Sequence, residues 1–600
     1  MGPGGVAHRF GGGPALPKPR STRRTLHRLS PLLLPHAGTI AMVAVFVLAG
    51  AAATLGTPWI VGHAIDALRK HAPDVRARLG LLAALLAAAY GTGFASTWIQ
   101  TWFMVGVSQR IVAKLRGNLF AHLQMLPLRF FDARSDGDIL SRFQNDLDNL
   151  STTLSQNGVQ LLGSVVSVGG ALVLMFLLDW RLALAGLLPV PLGFFLSTRI
   201  AKACHRHFAD LSRELGMLNG LSEEVVGGIG VVRAFGREQV ALDEFLSVNS
   251  RLRAAGIRAQ TLSGIIPPIM GLVNNLSFAC ATLAGGWLVL HGKATLGSIT
   301  AFTLLARQFA RPLSEISTQF NLIQASLAGV ERIFEILDEP GEEDSRPQGP
   351  AARLAGHVEF RSATFSYRPD VPVLRDLDLE AEPGSMVALV GPTGSGKTTI
   401  VNLLARFYDL DRGSVRIDGV DVRAMGRDRL RRNLGIVLQD AHLFTGTIRE
   451  NLLYGDPDAS EERMRDAARM ANAEPFILRM AEGYDTTISE AGAALSQGER
   501  QLLTIARAIL ADPAILVLDE ATSSVDTRTE LHIQEAMRAL RRGRTSFVVA
   551  HRLSTIRQAD LILVLERGRI AQRGTHAQLL SEDGLYAQMH ANQVLHPAAH

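Results

Sequence analysis

The sequence predicts an all-α transmembrane domain of six helices followed by an α/β domain with a largely parallel core sheet. Three observations carry this. Six apolar runs of bilayer length all lie before residue 326, strand-like runs alternate with helical periodicity in the second half, and the composition turns to Asp, Glu, Pro and Gly around 338 to 356. The chain has 600 residues, 47% hydrophobic and 20% charged, with a mean hydropathy of +0.16. That is too apolar for disorder, and at ~100 to 200 residues per domain the length asks for several units.

Residues 1–37 read as a basic, disordered tail carrying Arg9, Lys18, Arg20, Arg23, Arg24 and Arg28, suited to anionic membrane lipid. A secretory-signal reading of Ile40 to Ala53 is opposed by the long polar lead and by the spans that follow. Pro and Gly through residues 1–20 argue against an amphipathic targeting helix.

The transmembrane domain is placed at 38–326, because a bilayer core ~30 Å thick needs about 20 apolar residues in a helix. The runs lie near 38–60, 79–105, 156–179, 181–199, 263–290 and 296–325. Short turns alternate with long polar stretches at 106–155 and 200–258, which carry Arg110, Lys114, Arg116, Arg129, Arg134 and Arg142, then Lys202, Arg206, Arg213, Arg233, Arg237, Arg251, Arg253 and Arg258. Cations favour the cytosolic side, so the tail and both long loops face the cytosol. An even number of spans returns the C-terminal half there too. Arg69, Lys70, Arg76 and Arg78 in the first outer turn run against the rule. The implied location is the cell inner (plasma) membrane, multi-pass, with the second domain cytoplasmic. Residues 327–356 read as a linker, and 357–592 as the second domain.

Two classes drop out. Cys204 and Cys280 make no disulfide framework, and no Cys/His cluster has zinc spacing. A net charge of +5, from 61 Lys plus Arg against 56 Asp plus Glu, gives no argument for nucleic acid.

In the second domain, Val358 to Tyr367, Met386 to Val390, Ile515 to Asp519, Thr545 to Ala550 and Leu561 to Leu565 read as strands. Directly after the second comes Gly391-Pro-Thr393-Gly394-Ser395-Gly396-Lys397-Thr398-Thr399, then a helical stretch. Such a loop wraps β- and γ-phosphates with its amides, the helix presents its positive end, and Thr398 offers a hydroxyl to Mg²⁺. A chance Gly-rich turn is the bland alternative, and the strand, loop and helix order speaks against it. Only six cations are Lys, and Lys397 is the only one after residue 293. A compact ammonium fits among phosphate oxygens where a guanidinium fork does not.

Asp519 and Glu520 end an apolar strand. The first suits a metal held through water, the second the orientation or deprotonation of an attacking water. A solvated acidic strand end is the alternative, outweighed by the phosphate loop. His551 follows another strand, where a lone His is more often a structural hydrogen bonder.

The order phosphate loop, Gln439, Leu495-Ser496-Gln497-Gly498-Glu499, Asp519-Glu520, Ser523 to Asp526 and His551 resembles the nucleotide-binding domain of ATP-binding cassette (ABC) transporters. Six spans fused ahead of it resemble half-transporter exporters, especially bacterial heterodimeric multidrug exporters. The resemblance implies an α/β P-loop ATPase domain of ABC type with ATP and Mg²⁺ as cofactors. It implies that Tyr367 stacks on adenine, Lys397 binds phosphates, Thr398 and Gln439 ligate Mg²⁺, Glu520 is the general base and His551 a switch. Ser496 and Gly498 act in trans on ATP bound to a second ABC half-transporter. It also implies coupling helices in the long loops, near Phe131 to Asp138 and Ser222 to Arg237. Glu499 departs from the family's usual Gln, and its charge repels nucleotide. That asymmetry favours a heterodimer over a homodimer.

In the last span Arg307, Arg311 and Glu315 recur at spacing four, extended by Thr318, Gln319 and Gln324. A translocation path and a solvated cytosolic extension of the helix both account for them. Asn274 and Asn275 are the polar pair of the fifth span. The apolar remainder favours a small hydrophobic or amphipathic substrate. A multidrug exporter, a lipid flippase and a membrane-anchored regulatory ATPase without transport are the three functional readings.

Overall fold

The computed structural model describes residues 21–69, 75–342, 353–369, 371–439, 441–488, 495–519, 527–550, 553–582 and 584–595. They form two compact units, one of residues 1–125 with 134–339 and one of residues 126–133 with 340–600.

Among its described residues the first unit has only helices and the turns between them. Its spans are Ala37–Arg69, Val75–Leu123, Gly158–Leu178, Trp180–Leu187 continued by Val190–Gly227, Ile266–Leu290 and Leu296–Leu337. All six expected runs are helical, and most extend well beyond the apolar stretch. By length and apolar content five helical stretches qualify as membrane spans. The sixth is long enough, but Arg307, Gln308 and Arg311 lower its hydropathy. Against water every apolar side chain would seek cover, yet Leu177 and Leu283 stay about three-quarters exposed, as lipid-facing residues do. The inner packing joins Leu55, Ala171, Met175, Leu182, Ala281, Phe302 and Leu305 from five spans.

Local chemistry sets the ends. Asp179 breaks the third span in extended geometry, and its carboxylate accepts from the backbone of Arg181 and Leu182 to start the fourth. Thr295 and Ser298 form a capping box on the sixth span, and Asp66 accepts from the Thr295 hydroxyl and from Gly297 N at 2.7 and 2.9 Å. Toward the cytosolic end, π turns at Arg142–Asp146 and Thr153–Asn157 interrupt the third helical stretch. There Asp146, only 4% exposed, takes a bidentate pair from Arg332 of the sixth span, at 3.0 and 2.6 Å.

Two boundaries are corrected. Residues 22–33 are a helix rather than disordered tail, capped by Ser21. It is anchored by Arg28, which donates to Asp338 at 2.7 Å and lies 4.1 Å above the Phe334 ring. The sixth span continues to Leu337, eleven residues into the expected linker, because Leu327, Val330, Ile333, Phe334 and Ile336 are all buried there.

The second unit holds β1 (Val358–Arg368), β2 (Val371–Ala381), β3 (Met386–Val390), β4 (Arg412–Ile417), β5 (Val420–Asp421), β6 (Leu434–Val437), β7 (Gly446–Thr447), β8 (Thr487–Ile488), β9 (Ile515–Asp519), β10 (Thr545–Val549), β11 (Leu561–Glu566) and β12 (Arg569–Gly574). One sheet has the order β12-β11-β3-β10-β9-β6, parallel except for β12. Its inner strands β3, β9, β10 and β11 are buried on both faces. Met386, Ala388 and Val390 enter one core while Val387 and Leu389 enter the other, and Leu516, Leu518, Ile515 and Val517 divide likewise. The expected strand at Val358 belongs elsewhere. β1 sits in an antiparallel sheet of order β2-β1-β4-β5, because its alternating burial suits a sheet with one solvated face.

Candidate functional site

Four parallel strands end on one edge of the larger sheet. Register places Leu389 of β3 and Asp519 of β9 beside Val549 of β10, with Leu518 beside Val437 of β6. The sheet therefore gathers at one rim the loop 391–396 after β3, Asp519 at the end of β9, and Gln439 two residues beyond β6. Parallel α/β sheets bind ligands outside such an edge.

The loop geometry demands its glycines. Gly391 has φ +156°, and a Cβ there would stand 2.3 Å from the Leu565 carbonyl oxygen. Gly396, the residue before the helix Lys397–Leu404, has φ +106°, with a Cβ position 2.7 Å from Leu374. The Lys397 Nζ donates to the carbonyls of Gly391 at 2.7 Å and Pro392 at 3.0 Å. Burial pushes this ammonium below the ordinary lysine range, and the Asp519 charge opposes that shift. Among the described residues the buried Ser395 hydroxyl has no hydrogen-bond partner. A phosphate in this loop gives Ser395 and Lys397 the acceptor each is built to use. Thr398 is exposed in the first turn of the helix, Thr399 is buried behind it, and Thr393 and Gly394 are exposed at the loop tip. The hydroxyl of Thr398, the amide of Gln439 and the carboxylate of Asp519 are hard oxygen donors of the kind Mg²⁺ takes.

Tyr367, 36% exposed, stands beside this helix. Its hydroxyl donates to Thr399 at 3.3 Å and accepts from Asn402 at 3.1 Å, and its ring meets Phe365 and Tyr408 edge to face. Glu520, Ser523 to Asp526 and His551 lie outside the described residues.

The segment Leu495 to Glu499 forms its own helix start. Ser496 caps Gln497–Ala511, and Gly498 is buried in the first turn. Glu499 completes a capping box, its Oε2 accepting from Ser496 N at 2.9 Å and from the Ser496 hydroxyl at 2.8 Å. The unusual carboxylate thus has local work, as an anion at a helix N-terminus that holds the Ser496 proton.

For the coupling segment expected near Phe131 to Asp138, one partner was not foreseen. The short helix Leu128–Asp132, from the first long loop, belongs to the second unit, packs Leu128 against its core and buries Phe130. Tyr408 donates a short hydrogen bond to the Asp132 carboxylate. Burial, then that carboxylate, push the phenol well above its ordinary range. Phe131 and Asp132 stood in the segment expected to couple the two halves, but no sequence pattern singled out Tyr408. In the second long loop, the helix Ile229–Ala234 leaves Val231 and Phe235 62% and 76% exposed.

Family comparison settles the class. Residues 40–313 match the ABC transporter transmembrane region and residues 374–523 the ABC transporter ATPase family. The chain belongs to the ABC transporters. The ABC transporter ATP-binding protein YfiC of Bacillus subtilis is 41% identical over 579 residues, 96% of this chain and 95% of that one. A fatty acid ABC transporter ATP-binding/permease protein of Mycobacterium tuberculosis is 46% identical over 506 residues, 84% of this chain and 80% of its own. An ATP-dependent lipid A-core flippase of Syntrophus aciditrophicus is 36% identical, covering 94% of each chain. The solved structure of a bacterial Atm1-family ABC exporter with ATP bound aligns with a TM-score of 0.74 at 33% identity, over 94% of this chain and 98% of that one. This ABC exporter therefore couples ATP hydrolysis in a cytoplasmic domain to transport through a multi-pass membrane domain, and ABC exporters work as dimers.

Proposed function

We propose that this exporter moves a hydrophobic or amphipathic compound out of the cytosol or the inner leaflet. The carrying observation is the phosphate loop, with the buried Ser395 hydroxyl unpartnered among the described residues and Lys397 within electrostatic reach of Asp519. ATP bound there supplies the free energy of phosphoanhydride cleavage. Lys397 and the loop amides hold the phosphates, Thr398, Gln439 and Asp519 arrange the Mg²⁺, and Tyr367 receives the adenine. Glu520 activates water and His551 senses the γ-phosphate. Ser496 and Gly498 close over nucleotide held by the second half-transporter. That closure draws the coupling helices together and turns the spans outward, and hydrolysis reopens them.

The cargo and the companion are the finer parts of this reading. Multidrug breadth predicts turnover stimulated by several unrelated amphiphiles, whereas a lipid cargo predicts stimulation by particular lipids and headgroup reorientation. The relatives named for a fatty acid and for lipid A-core support the lipid side. Glu499 supports a companion that is a different chain, whose own ATP site tolerates the carboxylate. The test is the full chain in lipid nanodiscs, with and without a second half-transporter, and with Glu520→Gln. Turnover that requires the companion and falls about 100-fold in Glu520→Gln is the expected result. Equal activity alone sinks the heterodimer, and normal turnover in the variant sinks the base assignment.

A further inference from the structure

Arg307 lies in the wrong solvent for a lone cation. It is twelve residues beyond the Thr295 cap of the sixth span, ~18 Å along the axis, and so near the middle of a ~30 Å hydrocarbon layer. Trp180 and Trp287, both more than half exposed where the outer turns begin and end, mark that boundary independently.

The side chain points away from the packed face. Phe302 and Leu305 are buried against the neighbouring spans and Gln308 donates to Thr54 of the first span, whereas Arg307 is exposed, roughly opposite Phe302 and Leu305 and about 100° around the helix from Gln308. Thr318 and Asn321, eleven and fourteen residues on, share its stripe and are exposed too. Polar side chains exposed on a membrane helix face a cavity rather than lipid, and these mark one stripe at mid-depth and again toward the cytosolic end. Among the described residues no carboxylate pairs with Arg307. Its guanidinium is held 5.9 Å from the centre of the Phe278 ring of the fifth span.

Resting on the exporter reading above, we propose that Arg307 is the headgroup site for an anionic amphiphile. A carboxylate or phosphate replaces the missing counter-charge in fork geometry, and the acyl chain lies along the apolar side around Phe278. The chemistry selects charge first and chain second.

The test uses the full chain in nanodiscs, with empty nanodiscs subtracting lipid partition. Equilibrium binding of oleate, oleyl alcohol and oleoyl lysophosphatidate is measured for the wild type, Arg307→Gln and Arg307→Lys. The wild type is expected to hold an anionic probe about 10- to 100-fold tighter than the alcohol. Preference for oleate alone assigns a carboxylate, and for lysophosphatidate alone a phosphate. That ratio collapses in Arg307→Gln and is partly restored in Arg307→Lys. An unchanged ratio overturns the proposal, and an unchanged ratio with loss of dimer gives Arg307 to an acid of a second copy. If the ratio is flat while amphiphile efflux persists, this inference fails and the exporter reading stands. If no amphiphile is moved, the exporter reading fails while the binding ratio remains measurable.

Discussion

Replacing Glu499 by Gln separates two roles of one carboxylate. Its Oε2 lies 2.8 Å from the Ser496 hydroxyl. A phosphate oxygen that drew this hydroxyl's single proton away from the carboxylate, to the opposite side, would stand roughly 5.5 Å from that carboxylate. Coulomb's law makes that repulsion about 3 kcal/mol per unit charge at an effective dielectric of 20, and about 0.8 kcal/mol in water. Ser496 is exposed and Glu499 half-buried, so about 1 kcal/mol is appropriate, or about fivefold in affinity. The amide of Gln retains the capping acceptor but loses the charge at the helix N-terminus, worth roughly 0.3 to 1 kcal/mol of folding stability. Glu499→Gln should therefore tighten nucleotide clamping while lowering the thermal midpoint of the nucleotide-free protein. The ATP dependence of turnover in nanodiscs, alone and with a companion chain, reads the first effect and calorimetry the second. Raising the salt to about 1 M should erase most of the affinity gain, since the screening length is then ~3 Å. An unchanged or weaker ATP dependence at low salt would refute the argument that this carboxylate faces a phosphate.

Three further outcomes are expected. Tyr408→Phe removes the bond to Asp132, so substrate stimulation of turnover should fall about tenfold while ATP affinity stays within a factor of two, measured by titration. Arg332→Ala strands the buried Asp146, and since Arg332 is itself about a third exposed the cost is about 2 kcal/mol, read from denaturation midpoints. Arg332→Ala with Asp146→Asn should recover part of it. His576 bonds the Tyr586 hydroxyl at 2.7 Å and is held below the usual histidine range by burial, then by the charges of Arg557 and His590. A depressed histidine stabilises the neutral folded form above pH ~6.5, and that contribution is lost as pH falls through the unfolded value toward the folded one. The melting temperature should accordingly drop between pH 7.5 and 5.5 by less in His576→Gln than in the wild type, and an equal drop would remove His576 from the cause.

How much was legible follows from the range of the forces. Strands β3 and β9 stand at the residues expected, because a strand buried on both faces must be apolar throughout and its run ends where the sheet ends. The phosphate loop was equally plain, since Gly391 and Gly396 answer to backbone geometry that any sequence must meet locally. What escaped was long-range. The helix Thr22–Leu33 looks like a solvated basic segment until Arg28 finds Asp338, 310 residues away. Tyr408 and Asp132 are 276 residues apart, and no periodicity announces such a pair. The sixth span's extension to Leu337 was written in the spacing of Val330, Ile333, Phe334 and Ile336, but a scan for apolar runs stops where charges resume.

The sixth span shows how one helix can serve both cargo and drive. From Arg307 to Leu337 it covers 30 residues, ~45 Å, too far for direct electrostatic communication in a screened medium. The link is mechanical, and its weak point is Pro312, which removes the amide that would bond the Gln308 carbonyl. Below this joint, Arg332 and Asp146 clamp the helix to the third span beside a π turn. Above it, Gln308 fastens to Thr54 of the first span. A pull on the cytosolic half is therefore expected to yield first at Pro312, five residues from the Arg307 cation. Cargo can be released only if its affinity differs between the two states, and a charge site five residues from the hinge is well placed to change its surroundings. Pro312→Ala would restore the missing bond and stiffen the joint. Anionic ligand should then bind with the same affinity with and without nucleotide. A variant that still showed a nucleotide-dependent change would move the hinge elsewhere.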